Sequence, residues 1–166
     1  GGNMALSLSA RLGSERIKSC FALYPAAHLT HPERLDTVMG CVSDKFRSGV
    51  VIPHWCMKLF INAYTTPGTD MNDPRLSPMF YDASKFPKYV AVACGDADTL
   101  YRMSFDLMKK ISGSASGTNV DGSRKFICVP NEAHEFNTFG RTRASQEERD
   151  RVEGEAINMI RASWRQ

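Results

Sequence analysis

The sequence predicts an α/β fold, with about three parallel strands in one sheet and helices packed on its faces. Two observations carry that expectation. Three short apolar runs, residues 19–24, 89–94 and 125–129, each stop at a proline or glycine, the pattern of strands covered on both faces. Between and after them lie stretches with apolar residues at helical spacing and charge on the opposite side.

In chain order, residues 4–12 read as a helix, with Met4, Leu6, Leu8 and Leu12 among small residues and Gly13 to end it. Gly1 and Gly2 stand just ahead, where missing side chains allow a close backbone approach. The first apolar run, Ser19-Cys20-Phe21-Ala22-Leu23-Tyr24, ends at Pro25. From 26 to about 80 the pattern is irregular. Helices are expected over 32–46 and 54–64, then a turn-rich segment over 65–78, and an insertion of this length between core strands reads as a cap or lid. Tyr89-Val90-Ala91-Val92-Ala93-Cys94 is the clearest buried run, broken by Gly95. Leu100, Met103, Leu107, Met108 and Ile111 then mark one face of a helix over 99–111. Residues 112–123 form a Gly/Ser-rich surface loop. The run 125–129 closes at Pro130. A last helix over 146–164 carries Val152, Ala156, Met159, Ile160 and Trp164 as its stripe, with Ser145 and Glu148 at capping-box spacing.

Composition narrows the function classes. A net charge of +3, with basic and acidic residues interspersed, leaves no stripe for nucleic acid. No run of about 18 apolar residues is present, which argues against a membrane-spanning helix. No signal peptide is read at the start, and the chain begins Gly1-Gly2 rather than with Met. The five cysteines (Cys20, Cys41, Cys56, Cys94, Cys128) form no C-x-x-C pair. An odd, scattered set favours free thiols in a reducing, cytoplasmic compartment, and Cys94 and Cys128 read as small buried hydrophobes. Oligomeric state has no signal in the sequence.

In open parallel sheets the reacting groups gather at the carboxyl ends of the strands. The loop after the second run holds Asp96 and Asp98, and the loop after the third holds His134. A carboxylate and a histidine on neighbouring strands meet the needs of nucleophilic acyl transfer: the imidazole takes the nucleophile's proton, and the acid fixes its tautomer. The plain alternative for Asp98 is a helix N-cap. His28, His31 and Glu33 suggest a metal but lack a third or fourth partner, so they read as polar loop residues. Phe21, Tyr24 and Trp55 fit either an acyl pocket or ordinary packing.

Five segments in order resemble the hormone-sensitive-lipase-like branch of the α/β-hydrolases over essentially the whole length. Gly1-Gly2-Asn3-Met4-Ala5 matches the tail of that branch's G-D-S-A-G-G-N elbow. Tyr24-Pro25 matches the end of its next strand. Asp73-Pro74-Arg75-Leu76-Ser77-Pro78 matches its Asp-Pro and Ser-Pro segment. Gly95-Asp96-Ala97-Asp98-Thr99-Leu100 matches its acid motif, G-x-x-D-x-L, and His134-Glu135-Phe136 its H-G-F. The resemblance implies Asp98, not Asp96, as the triad acid and His134 as general base. It gives Gly1 and Gly2 as the remnant of the nucleophile elbow, and Asp73 and Ser77 structural roles. It further implies that the chain is the C-terminal part of an α/β-hydrolase, with residues 26–80 as the cap. The nucleophilic serine and the H-G-G oxyanion loop would belong to an N-terminal half.

Glu135, where the branch has glycine, departs from the pattern. The implied activity is that of a serine carboxylesterase acting on a small uncharged ester, with no cofactor or metal, and inactive as this chain alone. A non-catalytic ligand-binding relative, such as the plant gibberellin receptors of the same branch, is the alternative; retention of His134 favours the enzyme. A truncated, inactive gene product is the third expectation. Three strands would be the last three of an eight-stranded sheet, leaving an apolar edge bare, so poor independent folding is expected.

Overall fold

The computed structural model describes residues 1–165. Its three strands, β1 (Ser19–Leu23), β2 (Tyr89–Gly95) and β3 (Arg124–Val129), form one parallel sheet in the order β1-β2-β3. Ser19 pairs with Tyr89, and Cys94 with Cys128. The central β2 buries Val90, Ala91, Val92, Ala93 and Cys94 completely, because strands flank it on both sides and helices cover both faces. The two apolar residue sets of β2 therefore point into two different cores. Val90 and Val92 meet Leu6 and Ala10 of α1 (Gly2–Arg16) and Leu107, Met108 and Ile111 of α3 (Tyr101–Ser112). Ala91 and Ala93 meet Phe136 of the one-turn α4 (Phe136–Phe139) and Val152 and Met159 of α5 (Arg143–Trp164).

The long connection between β1 and β2 contains a 3-10 turn, Pro32–Thr37, and α2, His54–Tyr64. It has its own cluster, in which Leu35, Met39, Met57, Ile61 and Met71 pack on Leu100 and Met103 at the start of α3. The flexible methionines fill the irregular spaces between these short elements.

Several expectations need correction. The expected helix over 32–46 stops after Thr37. Beyond it the backbone bonds elsewhere: Gly40 N–H donates to Thr99 O, Val42 and Ser43 N–H to Asp96 O, and Arg47 N–H to Asn131 O. The capping box at Ser145 is absent. Helix α5 begins at Arg143 rather than 146, with Thr142 as its cap and Thr142 Oγ1 accepting from Ser145 N–H, while the Ser145 hydroxyl is turned inward. Cys128 is exposed rather than buried, since β3 lies at the sheet edge. The stripe of α5 is only partly covered: Val152 and Met159 are buried, but Ile160 and Trp164 are exposed. Helix 54–64 and the helix after Asp98 stand where the sequence places them, the latter ending at Gly113.

Candidate active site

The loops after β2 and β3 meet at the carboxyl end of the sheet because these strands are neighbours. Asp98 is fully buried there. Its Oδ2 lies 2.9 Å from His134 Nδ1, and its Oδ1 accepts from Leu100 N–H at 2.8 Å at the start of α3. Asp98 thus holds the histidine with one oxygen and, with the other, the turn that leads into the following helix; it is not that helix's N-cap, a place taken by Leu100. Among the described residues no side chain hydrogen-bonds His134 Nε2, and the imidazole keeps 17% of its side-chain exposure. The ring is anchored at one nitrogen and open at the other.

Asp96 does not reach the histidine. Its Oδ1 accepts from Asn131 N–H at 2.7 Å, tying the two loops together. The approach of the loops requires glycine at 95: a Cβ there would lie 2.0 Å from Glu132 O and 2.6 Å from Glu132 C.

Tyr24, at the end of β1, lays its ring against His134 with centroids 4.3 Å apart, and its hydroxyl donates to Asn137 Oδ1 at 2.7 Å. Burial first, and then the negative charge of Glu135 and Asp98, push the Tyr24 phenol above its usual range. The phenol therefore stays protonated and keeps donating. Tyr24, Asn131 and Glu135 are the non-glycine residues with positive φ, at 36°, 57° and 58° among the described residues. All three sit in the loops around His134, and such backbone strain gathers at functional sites. The value at Glu135 gives a physical reason for a glycine in H-G-F, since the left-handed region costs a side chain about 1–2 kcal/mol.

Gly2 places the start of α1 in the same neighbourhood. A Cβ on it would approach Leu23 O to 2.9 Å and the Pro25 Cβ to 3.1 Å, on either side of Tyr24. Asn3 Nδ2 fastens this turn by donating to Ala26 O and Leu76 O. Gly1, the helix N-cap, is exposed. Ser77 is buried and bridges both backbone groups of Leu29, and Asp73 pairs with Arg75, so both contacts brace the β1–β2 connection within itself.

The family model for the alpha/beta hydrolase fold matches residues 1–138, from the start of α1 through the histidine loop. The chain belongs to the α/β-hydrolase fold family. Among solved structures, this α/β-hydrolase chain is similar to brefeldin A esterase, a bacterial homologue of human hormone sensitive lipase. They share 21% identity and a TM-score of 0.63, over 96% of this chain and 46% of the esterase. An esterase/lipase from an uncultured bacterium gives 14% identity and 0.61, over 100% and 51%. Carboxyl esterase 2 of the mycorrhizal fungus Tuber melanosporum gives 16% and 0.55, over 99% and 50%. The chain spans about half the length of these structures. No curated protein matches it in sequence.

His28 is half-buried with its ring edge-on to Phe80, and burial lowers its pKa. Among the described residues no three His, Cys, Asp or Glu side chains gather as a metal site. Trp55 points outward from α2 and Phe21 is half-buried beside the α5 core, so of the three aromatics only Tyr24 touches His134. The sequence reading misses Glu132, which is fully buried although charged. Flanked by Asn131 and Ala133, with Glu135 close behind, it carries no local sequence signal of that burial.

Proposed function

We propose that this chain supplies the acid and the base of a serine carboxylesterase, of which it is the C-terminal portion. The observation that carries the reading is the 2.9 Å contact between a buried Asp98 and His134 Nδ1, with Nε2 left open. With Nδ1 donating to the carboxylate, the neutral ring presents Nε2 as an acceptor. It takes the proton of a serine hydroxyl as that oxygen attacks the ester carbonyl. Asp98 stabilises the imidazolium, which then gives the proton to the departing alcohol; water repeats the cycle on the acyl-enzyme. The serine would stand ahead of Gly1, in a turn that Gly2 packs against Leu23 and Pro25 beside Tyr24. Residues 26–80 serve as the cap, and the substrate is a small uncharged ester. The chemistry is complete with serine, histidine and aspartate, plus oxyanion donors from the N-terminal half.

The test compares p-nitrophenyl ester hydrolysis by the 166-residue chain with that by the reading frame extended upstream of Gly1. The extended protein should turn over the ester and lose activity roughly 10⁶-fold on His134→Ala, while the shorter chain is inert. Efficient turnover by the 166-residue chain, abolished by His134→Ala, would refute the missing nucleophile. An inert extended protein that still carries the elbow serine would refute the esterase reading in favour of a binding protein.

A further inference from the structure

The carboxylate of Glu132 has no part in that chemistry, yet it is fully buried beside the histidine loop. Its side chain accepts from three directions. Arg47 Nε donates to Oε1 at 3.1 Å, Ser145 Oγ donates to Oε1 at 2.8 Å, and Ser48 Oγ donates to Oε2. Arg47 also reaches Pro130 O at 2.8 Å. The carboxylate therefore joins the β1–β2 connection and the first turn of α5. Its backbone carbonyl joins the acid loop as well, accepting from Ala97 N–H at 3.1 Å.

Residues 47–50 are what this carboxylate holds against the histidine. Ala133 N–H donates to Ser48 O at 3.0 Å. Val50 and His134 then exchange both backbone hydrogen bonds, Val50 N–H to His134 O at 2.7 Å and His134 N–H to Val50 O at 3.0 Å. Between them Gly49, at φ 93°, passes so close that a Cβ would lie 2.4 Å from His134 O. Asp98 thus holds the tip of the histidine, and this strap holds its root. A buried carboxylate is tolerated only while its partners stay in place, so the strap cannot shift without leaving a charge unpaired.

We propose that Glu132 is a positioning residue: through Ser48 and the 47–50 strap it fixes the backbone of His134, and so the aim of the imidazole at Asp98. The functional meaning rests on the acid–base reading above; the test does not. In the full chain, Glu132→Gln should speed amide exchange at His134 and Val50 about ten- to a hundredfold, as expected for losing a hydrogen bond to a charged group. Exchange at Val90 to Ala93 should stay as it is. The imidazole ¹⁵N shifts of His134 should move from a single Nδ1–H tautomer to a mixture. Unchanged exchange and tautomer at His134 would overturn the proposal. Equal acceleration in β2 would overturn it too, by making Glu132 an element of general stability. If Glu132→Gln does not fold, Ser48→Ala carries the same two readouts, with Arg47 and Ser145 still on the carboxylate. Asp98→Asn separates the two ideas: if it leaves the tautomer unmixed, the Asp98–His134 reading fails whatever Glu132 does.

Discussion

Replacing Gly95 by alanine tests whether the close approach of the two loops builds the site. The new methyl carbon would lie 2.0 Å from Glu132 O, against a lower edge of 3.4 Å for ordinary contact. The loops must then part by about 1.4 Å, and the obstacle is backbone, which no rotamer change relieves. The first bond to stretch is Ala97 N–H to Glu132 O, now 3.1 Å. Overpacking costs about 1–3 kcal/mol and a buried unpaired group about 1–3 more, so Gly95→Ala should lose about 2–6 kcal/mol in urea unfolding. The same opening pulls His134 from Asp98, and the low-field Nδ1–H proton signal should vanish. Gly154, inside α5 with nothing near its missing Cβ, is the control: alanine there should add about 0.5–1 kcal/mol. A loss under about 1 kcal/mol at position 95, with the proton signal kept, would refute the reasoning.

Glu135→Gly relieves a left-handed backbone, and should raise stability by about 1 kcal/mol in the same unfolding assay. It should also bring the Tyr24 phenol down toward its ordinary range, as Glu135 is the second cause of its elevation after burial; ultraviolet titration of the phenolate checks this. His28 has its pKa lowered by burial first, then by Arg34 and against Asp106. Its neutral form is the one the fold accommodates. The stability it contributes is present above the unfolded value of about 6.5 and is lost as pH falls toward the lowered folded value. Unfolding midpoints from neutral to mildly acid pH should therefore decline less steeply for His28→Gln. We propose that β1, which pairs with β2 alone among the described residues, makes the chain self-associate. Sedimentation velocity should show mass rising with concentration, and a monomer throughout would contradict it.

The sheet was legible because its strands are apolar runs with proline or glycine stops, and β2 is buried on both faces. The acid and histidine loops were legible from their places after those strands. The segment 38–50 was not. Its residues carry a helix-like pattern over 32–46, but their backbone bonds go to Thr99, Asp96, Asn131 and His134, partners that only the closed fold brings near. Ser145 shows the same limit: its hydroxyl suits a helix cap in sequence and serves Glu132 in space. Glu132 itself escaped notice because a lone glutamate in a loop has an exposed place by default, and its burial depends on three donors from distant segments.

Asp98 divides its two oxygens between His134 and the amide of Leu100. One carboxylate therefore holds both the histidine ring and the turn that leads into a helix of the core. Selection for a folded protein would keep it even after selection for ester cleavage had ended. Beyond its contact with the Tyr24 ring, the His134 imidazole makes no second hydrogen bond among the described residues. In an α/β-hydrolase that had drifted from catalysis toward binding, the histidine would be free to change first and the aspartate would linger. The residue that informs about activity in such a chain is the histidine, and the aspartate informs mainly about the fold.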